Sequence, residues 1–149
     1  MAIANKINLR QAVIAGIVGT VVVDLLGLVL TQQFWDIPTL LGSKLGAGLA
    51  AGVVLHYGIG VVLAVIYAAL APSLPGGRYG RPMIYATVET VLGVYLFMFP
   101  LVGAGAFGLA LGPMVPVISM LRHWGFAGVL GFFHPVDEAA STLTLSPEA

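Results

Sequence analysis

The chain contains no cysteine. Disulfides, thiolate metal sites, iron–sulfur clusters and covalently attached c-type haem are therefore excluded. Charge is equally scarce: only 8% of the 149 residues are Asp, Glu, Lys or Arg, against about 25% in an ordinary soluble domain. The six basic residues are balanced by six acidic ones. A polyanionic partner is not implied, and nucleic acid is not expected. Catalytic signatures are also missing, since there is no Walker loop, G-x-S-x-G or H-E-x-x-H. The expectation is a protein that is not an enzyme. What the chain has in quantity is apolar sequence, 59% of the residues, with a mean hydropathy of +1.03. That composition describes an integral membrane protein.

The clearest single stretch is GLAAGVVLHYGIGVVLAVIYA, from Gly48 to Ala68. It has the length of about 20 residues that a bilayer-crossing helix needs. Every fourth residue gives Gly48, Gly52, His56, Gly60, Ala64 and Ala68, which share one helix face. Small residues at this spacing let helix backbones approach closely in lipid. His56 is therefore expected in a helix contact, away from acyl chains.

Four spans are expected, at about residues 9–34, 45–70, 82–99 and 117–133, forming one all-α domain over residues 1–149. The run after Lys6 and Arg10 superficially resembles a signal peptide. It is too long, holds Asp24 and lacks a small-residue cleavage site, so it reads as a retained helix. Asp36-Ile-Pro38 is expected to break the chain, with Thr39 to Lys44 as a short polar connection. Residues 103–116, apolar but rich in Gly and Pro, read as a hairpin or re-entrant loop. The segment 136–149 reads as a loosely ordered polar tail. Lys6, Arg10, Arg78 and Arg81 fall on one side of this arrangement and Lys44 alone on the other. The positive-inside rule then places both termini in the cytoplasm, the expected setting being a bacterial inner membrane.

An internal repeat is visible. His56-Tyr-Gly58 is echoed by His123-Trp-Gly125, and Val62-Leu63 by Val129-Leu130 in the same register. Each half carries one membrane carboxylate, Asp24 or Glu89, with separations of 56 − 24 = 32 and 123 − 89 = 34 residues. Two helices per half give both halves one orientation, a parallel repeat of two helical hairpins. Asp24, His56, Glu89, Arg122 and His123 are the five intramembrane ionisable residues, and such residues are functional candidates by default. Counting from helix ends puts Asp24 level with His56, so an Asp24–His56 hydrogen bond is expected. Arg122 is expected to pair with Glu89 or Asp24, or to turn toward a partner. Gly125, Gly128 and Gly131, with Gly48, Gly52 and Gly60, are expected to pack helix against helix.

These groups admit several readings. They serve as glue that fixes helix register, or as a bis-histidine b-type haem site with His56 and His123 as axial ligands. A metal site built from Asp24, His56, Glu89 and His123 has suitable ligand types without the usual Glu-x-x-His pairing. A proton or ion path through the same groups is the remaining option.

The motifs Asp36-Ile-Pro-Thr-Leu-Leu-Gly42, HYGIGVVLAVIY from His56 to Tyr67, GAGAFG from Gly103 to Gly108 and HWGFAGVLG from His123 to Gly131 resemble a group of small four-helix bacterial membrane proteins of the YagU type. The resemblance touches most of the apolar chain. It implies an inner-membrane four-helix protein and supplies no activity, substrate or cofactor. Arg122 departs from it, where a small residue would be less surprising. The leading functional expectation is a structural or accessory subunit of a larger membrane assembly, an energy-converting complex being one candidate host. Its partners would be lipids, other subunits or further copies of itself. A haem-binding electron-transfer subunit is the alternative, and a small proton- or ion-conducting protein the third.

Overall fold

A computed structural model describes residues 7–135, and the expected polar tail at 136–149 lies outside them. All described elements are helical. Helix α1 spans Leu9–Thr31. Asn8 caps it by accepting the Gln11 N–H at 3.1 Å. It stops short of Phe34 because Gln32 adopts a left-handed conformation at φ 59°.

The expected break at Asp36-Ile-Pro38 is instead the start of a short helix, α2, Asp36–Lys44. Pro38 falls in the first turn, where a missing N–H breaks no helical hydrogen bond. Asp36 in the first turn and Lys44 in the last suit the helix dipole. Helix α3 spans Gly48–Leu70 and ends in a 3₁₀ turn containing Pro72.

The third span, α4, runs Gly80–Leu101. It is α-helical over Gly80–Glu89, widens to a π-helix over Thr90–Met98 and closes with one α turn. No residue pattern in the sequence marks this π segment. Residues 103–114 form a glycine-bearing turn segment with positive φ at Gly103, Gly105, Gly108 and Gly112. Helix α5 spans Val115–Phe133, with Pro116 in its first turn and His134 left-handed at its end. Thus α1, α3 (with its 3₁₀ turn), α4 and α5 are the four helices long and apolar enough to cross a membrane.

The packing order follows from where side chains are missing. Helix α3 lies against α2 and α1, α1 against α5, and α5 against α4. A Cβ on Gly16 would stand 2.6 Å from the Val61 Cα, so α1 and α3 touch backbone to backbone. Gly52 abuts the Pro38 carbonyl and the Gly42 amide of α2, and Gly60 abuts Thr20 and the Gly16 carbonyl of α1. The glycine ladder of α3 is therefore shared between two neighbours. Gly125 meets Leu26 and Val22 of α1, while Gly131 meets the Tyr79 ring.

Two expected packing glycines differ. Gly48 and Gly128 have nothing within 4 Å of a built Cβ. Gly48 opens α3 at φ +76°, where its freedom serves the turn, and Gly128 lies on the outer face of α5.

Apolar clusters stand toward both ends. Ala15, Ala64, Tyr67, Tyr85, Phe126 and Leu130 belong to one; Val94, Tyr95, Phe99, Val102 and Ala104 form the other. At the first end the Tyr85 hydroxyl donates to the Leu63 carbonyl at 2.9 Å, tying α4 to α3. Val94, Phe99 and Val102 of the second cluster share a cavity wall with Asp36 and Arg122.

Candidate functional site

The five ionisable candidates Asp24, His56, Glu89, Arg122 and His123 each meet a partner of opposite acid–base character on a neighbouring helix. Asp24 of α1 is 1% exposed. Its Oδ1 lies 3.1 Å from the His56 Nε2, the pairing expected from their common depth. Its Oδ2 accepts the Tyr57 hydroxyl at 3.0 Å. A carboxylate away from water needs such donors, because a buried unpaired charge is prohibitively costly. The Thr20 hydroxyl, one turn before Asp24, donates to the Gly16 carbonyl at 2.8 Å and stays out of this network.

His123 of α5 approaches Glu89 of α4, its Nε2 being 3.6 Å from Oε2. The His123 Nδ1 lies 2.8 Å from the Ser119 carbonyl. A carbonyl accepts only, so Nδ1 carries a proton. A neutral imidazole then presents a bare Nε2 to Glu89. The two side chains accommodate one further proton between them, on the nitrogen or on the carboxyl oxygen. The 3.6 Å gap exceeds a direct hydrogen bond, so transfer needs a small rotation or one intervening water.

Arg122 overturns expectation. It pairs with neither Glu89 nor Asp24. Its Nη1 donates to Asp36 Oδ1 at 3.0 Å and its Nη2 to Asp36 Oδ2 at 2.7 Å, a bidentate fork. Nη2 also lies 3.2 Å from the Thr31 Oγ1. Asp36, at the first turn of α2, also accepts the Ile37 N–H at 2.8 Å. Gly27 makes room for the arginine, since a Cβ there would meet Nη2 at 2.8 Å. Asp36 escapes sequence reasoning because its neighbour Pro38 reads as a loop signal. Read as a first helical turn, the same Asp-x-Pro would have marked it as a fixed, dipole-favoured anion beside the membrane.

Two cavities open onto these groups. The first, about 320 Å³, is lined by Thr31, Gln33, Asp36, Ser119, Arg122 and His123 together with apolar residues of α2, α4 and α5 and of the turn segment before α5. The second, about 260 Å³, brings His56, Glu89 and His123 to one space, with Thr20 and Phe126 among its other walls. Ile37, Leu41, Val94, Met98 and His123 border both. Among the described residues no group of three or more His, Asp or Glu side chains is placed to hold a metal ion. The four-ligand metal arrangement considered above is therefore not formed.

Fold and site together define a helical membrane protein, with four helices of spanning length and a polar interior held by carboxylate–imidazole and carboxylate–guanidinium pairs. No family model matches the chain, and neither curated proteins nor solved structures give a significant match.

Proposed function

We propose that the protein is a small proton-handling membrane subunit that takes up and relays protons through its buried carboxylate–imidazole pairs. The observation that carries this reading is the meeting of His56, Glu89 and His123 on one cavity of about 260 Å³. Glu89 and His123 hold an exchangeable proton between them, and His56 lies on the same space with Asp24 behind it. Intramembrane ionisable groups arranged in series are the parts of a proton relay.

The two halves support the same reading. Each presents a carboxylate to a histidine Nε2, at 3.1 Å in one and 3.6 Å in the other, as a parallel pair of helical hairpins forming a four-helix bundle would. Helix order and the positions of Arg10, Arg78 and Arg81 against Lys44 support an inner-membrane orientation with both termini cytoplasmic.

A place in a larger assembly is the second reading. Gly58 and Gly128 face outward with nothing within 4 Å of a built Cβ, leaving two helix surfaces on which a neighbouring helix can approach closely. The YagU-type resemblance fits either reading.

Haem fits the residues poorly. Both Nε2 atoms face carboxylates, and the shared cavity of about 260 Å³ lies below the ~300–1,000 Å³ range of ligand pockets.

Liposomes loaded with a pH-sensitive dye and energised by a potassium gradient test the relay. The native protein is expected to speed proton entry over protein-free vesicles. Glu89→Gln and His123→Ala are expected to return entry to background, and Gly58→Ala to leave it unchanged. Native flux equal to that of empty vesicles, or a Glu89→Gln variant as fast as native, refutes the relay. A Soret band in purified protein, lost on His56→Ala, would instead establish haem.

A further inference from the structure

The first cavity, about 320 Å³, runs from the loops at one end of the bundle to its middle. Gln33, between α1 and α2, and Leu111, in the turn segment before α5, both line it and both are exposed. Ser119, Arg122 and His123 line it further in. His123 follows the first residue of α5 by 123 − 115 = 8 positions. At 1.5 Å per residue that places it about 12 Å beyond the start of the helix. The apolar cluster at this end leaves the space open, since its Val94, Phe99 and Val102 stand on the cavity wall. His123 also borders the second cavity, where Glu89 and His56 are.

The opposite end is tightly packed. Ala15, Ala64, Tyr67, Ala71 and Leu130 are 0% exposed there. Toward that end neither cavity reaches past Thr20 of α1, Leu63 of α3, Glu89 of α4 or Phe126 of α5. Phe126 is the boundary, lining the second cavity and belonging to the packed cluster. Its ring lies in the notch left by Gly19 of α1, where a Cβ would stand 2.5 Å from the ring Cδ2. Close packing leaves few voids that could pass a water molecule, and an apolar constriction blocks ions by staying dry.

We propose that water and protons enter the polar interior from the α2 end alone, through the first cavity, with His123 as the port to the second cavity and Phe126 as its closed floor. The inference deepens the proton-handling reading and rests on it for its cargo. Uptake is one-sided, and onward passage waits on movement of the Phe126 layer.

Because the chain has no cysteine, single substitutions report access without background. Sealed vesicles of either polarity, prepared from cells expressing the full chain, are treated from outside with a membrane-impermeant trimethylammonium thiosulfonate. Ser43→Cys in α2 and Gly77→Cys in the loop before α4, both at exposed positions, mark the two ends. Ser119→Cys, a near-isosteric change on the cavity wall, is expected to be labelled only from the face that labels Ser43→Cys. Ala64→Cys is expected to react at least roughly a hundredfold more slowly than Ser119→Cys from either face, since a packed residue reacts only through local opening. Adding Phe126→Ala to Ala64→Cys is expected to speed its labelling from the Ser43 face. Met98→Cys, which borders both cavities, replaces Ser119→Cys should that variant lose its helical circular dichroism, and Ala15→Cys likewise replaces Ala64→Cys. Labelling of Ser119→Cys from the Gly77 face, none from the Ser43 face, or Ala64→Cys as reactive as Ser119→Cys each overturns the proposal, and no acceleration by Phe126→Ala overturns the floor. Labelling needs no flux. A chain that labels as expected but fails the liposome assay loses the relay and keeps the access, and one that passes that assay but labels otherwise loses the access alone.

Discussion

The Arg122–Asp36 fork makes an asymmetric prediction about stability. The two side chains are unequally buried, 5% exposed for Arg122 and 24% for Asp36. In Asp36→Leu the guanidinium stays inside the protein with only the Thr31 hydroxyl, at 3.2 Å, left to it. Removing one partner of a buried ion pair costs about 3–5 kcal/mol, and this variant should fall in that range. In Arg122→Leu the remaining carboxylate still accepts the Ile37 N–H at 2.8 Å and is a quarter exposed. Its loss should be smaller, about 1–2 kcal/mol. The double variant removes both charges and replaces them with apolar volume, which is often neutral. It should therefore be more stable than Asp36→Leu alone. Unfolding in mixed micelles by increasing denaturing detergent, followed by helical circular dichroism, gives all four corners of the cycle. A double variant that costs the sum of the two singles, or an Arg122→Leu loss exceeding that of Asp36→Leu, refutes this account of the pair.

Four further outcomes follow from the same packing. In Gly52→Ala the new methyl meets the Pro38 carbonyl and the Gly42 amide, and the same assay should show a loss of about 1–3 kcal/mol. Gly58→Ala has open space and should be neutral or gain up to about 1 kcal/mol from helix propensity. Tyr57→Phe removes one of the two donors to Asp24 and should cost about 1.5 kcal/mol, the low end for a bond to a charged group. Tyr85→Phe deletes the bond to the Leu63 carbonyl. It should cost about 1 kcal/mol and speed amide exchange near Leu63, measured by hydrogen–deuterium exchange.

Much of this was legible because lipid imposes simple rules. Apolar runs of spanning length fixed four helices, and the four-residue ladder through Gly52, His56 and Gly60 gave the buried face of α3. Depth counting along antiparallel helices was enough to bring Asp24 to His56. The rest depended on geometry that spacing does not carry. Arg122 lies one position before His123, about 100° round the helix, and that rotation sends it to α2 while His123 meets α4. The π segment of Thr90–Met98 turns the face of α4 with no composition cue. Gly128 has the same small side as Gly125, yet only Gly125 faces α1. A glycine on a spanning helix marks a permitted approach, and rotation about the axis decides whether anything takes it.

Arg78 precedes α4, yet its partners come 53 and 54 residues later. Its Nε donates to the Gly131 carbonyl at 2.6 Å, and its Nη2 donates to the Phe132 carbonyl. These are orphan acceptors at the last turn of α5, where a cation is also favoured by the helix dipole. During synthesis this guanidinium must wait for the final span to emerge before it finds them. The connection between the second and third spanning helices is then among the last parts to set, and a ribosome-bound chain stopped before Gly131 would leave it unlatched.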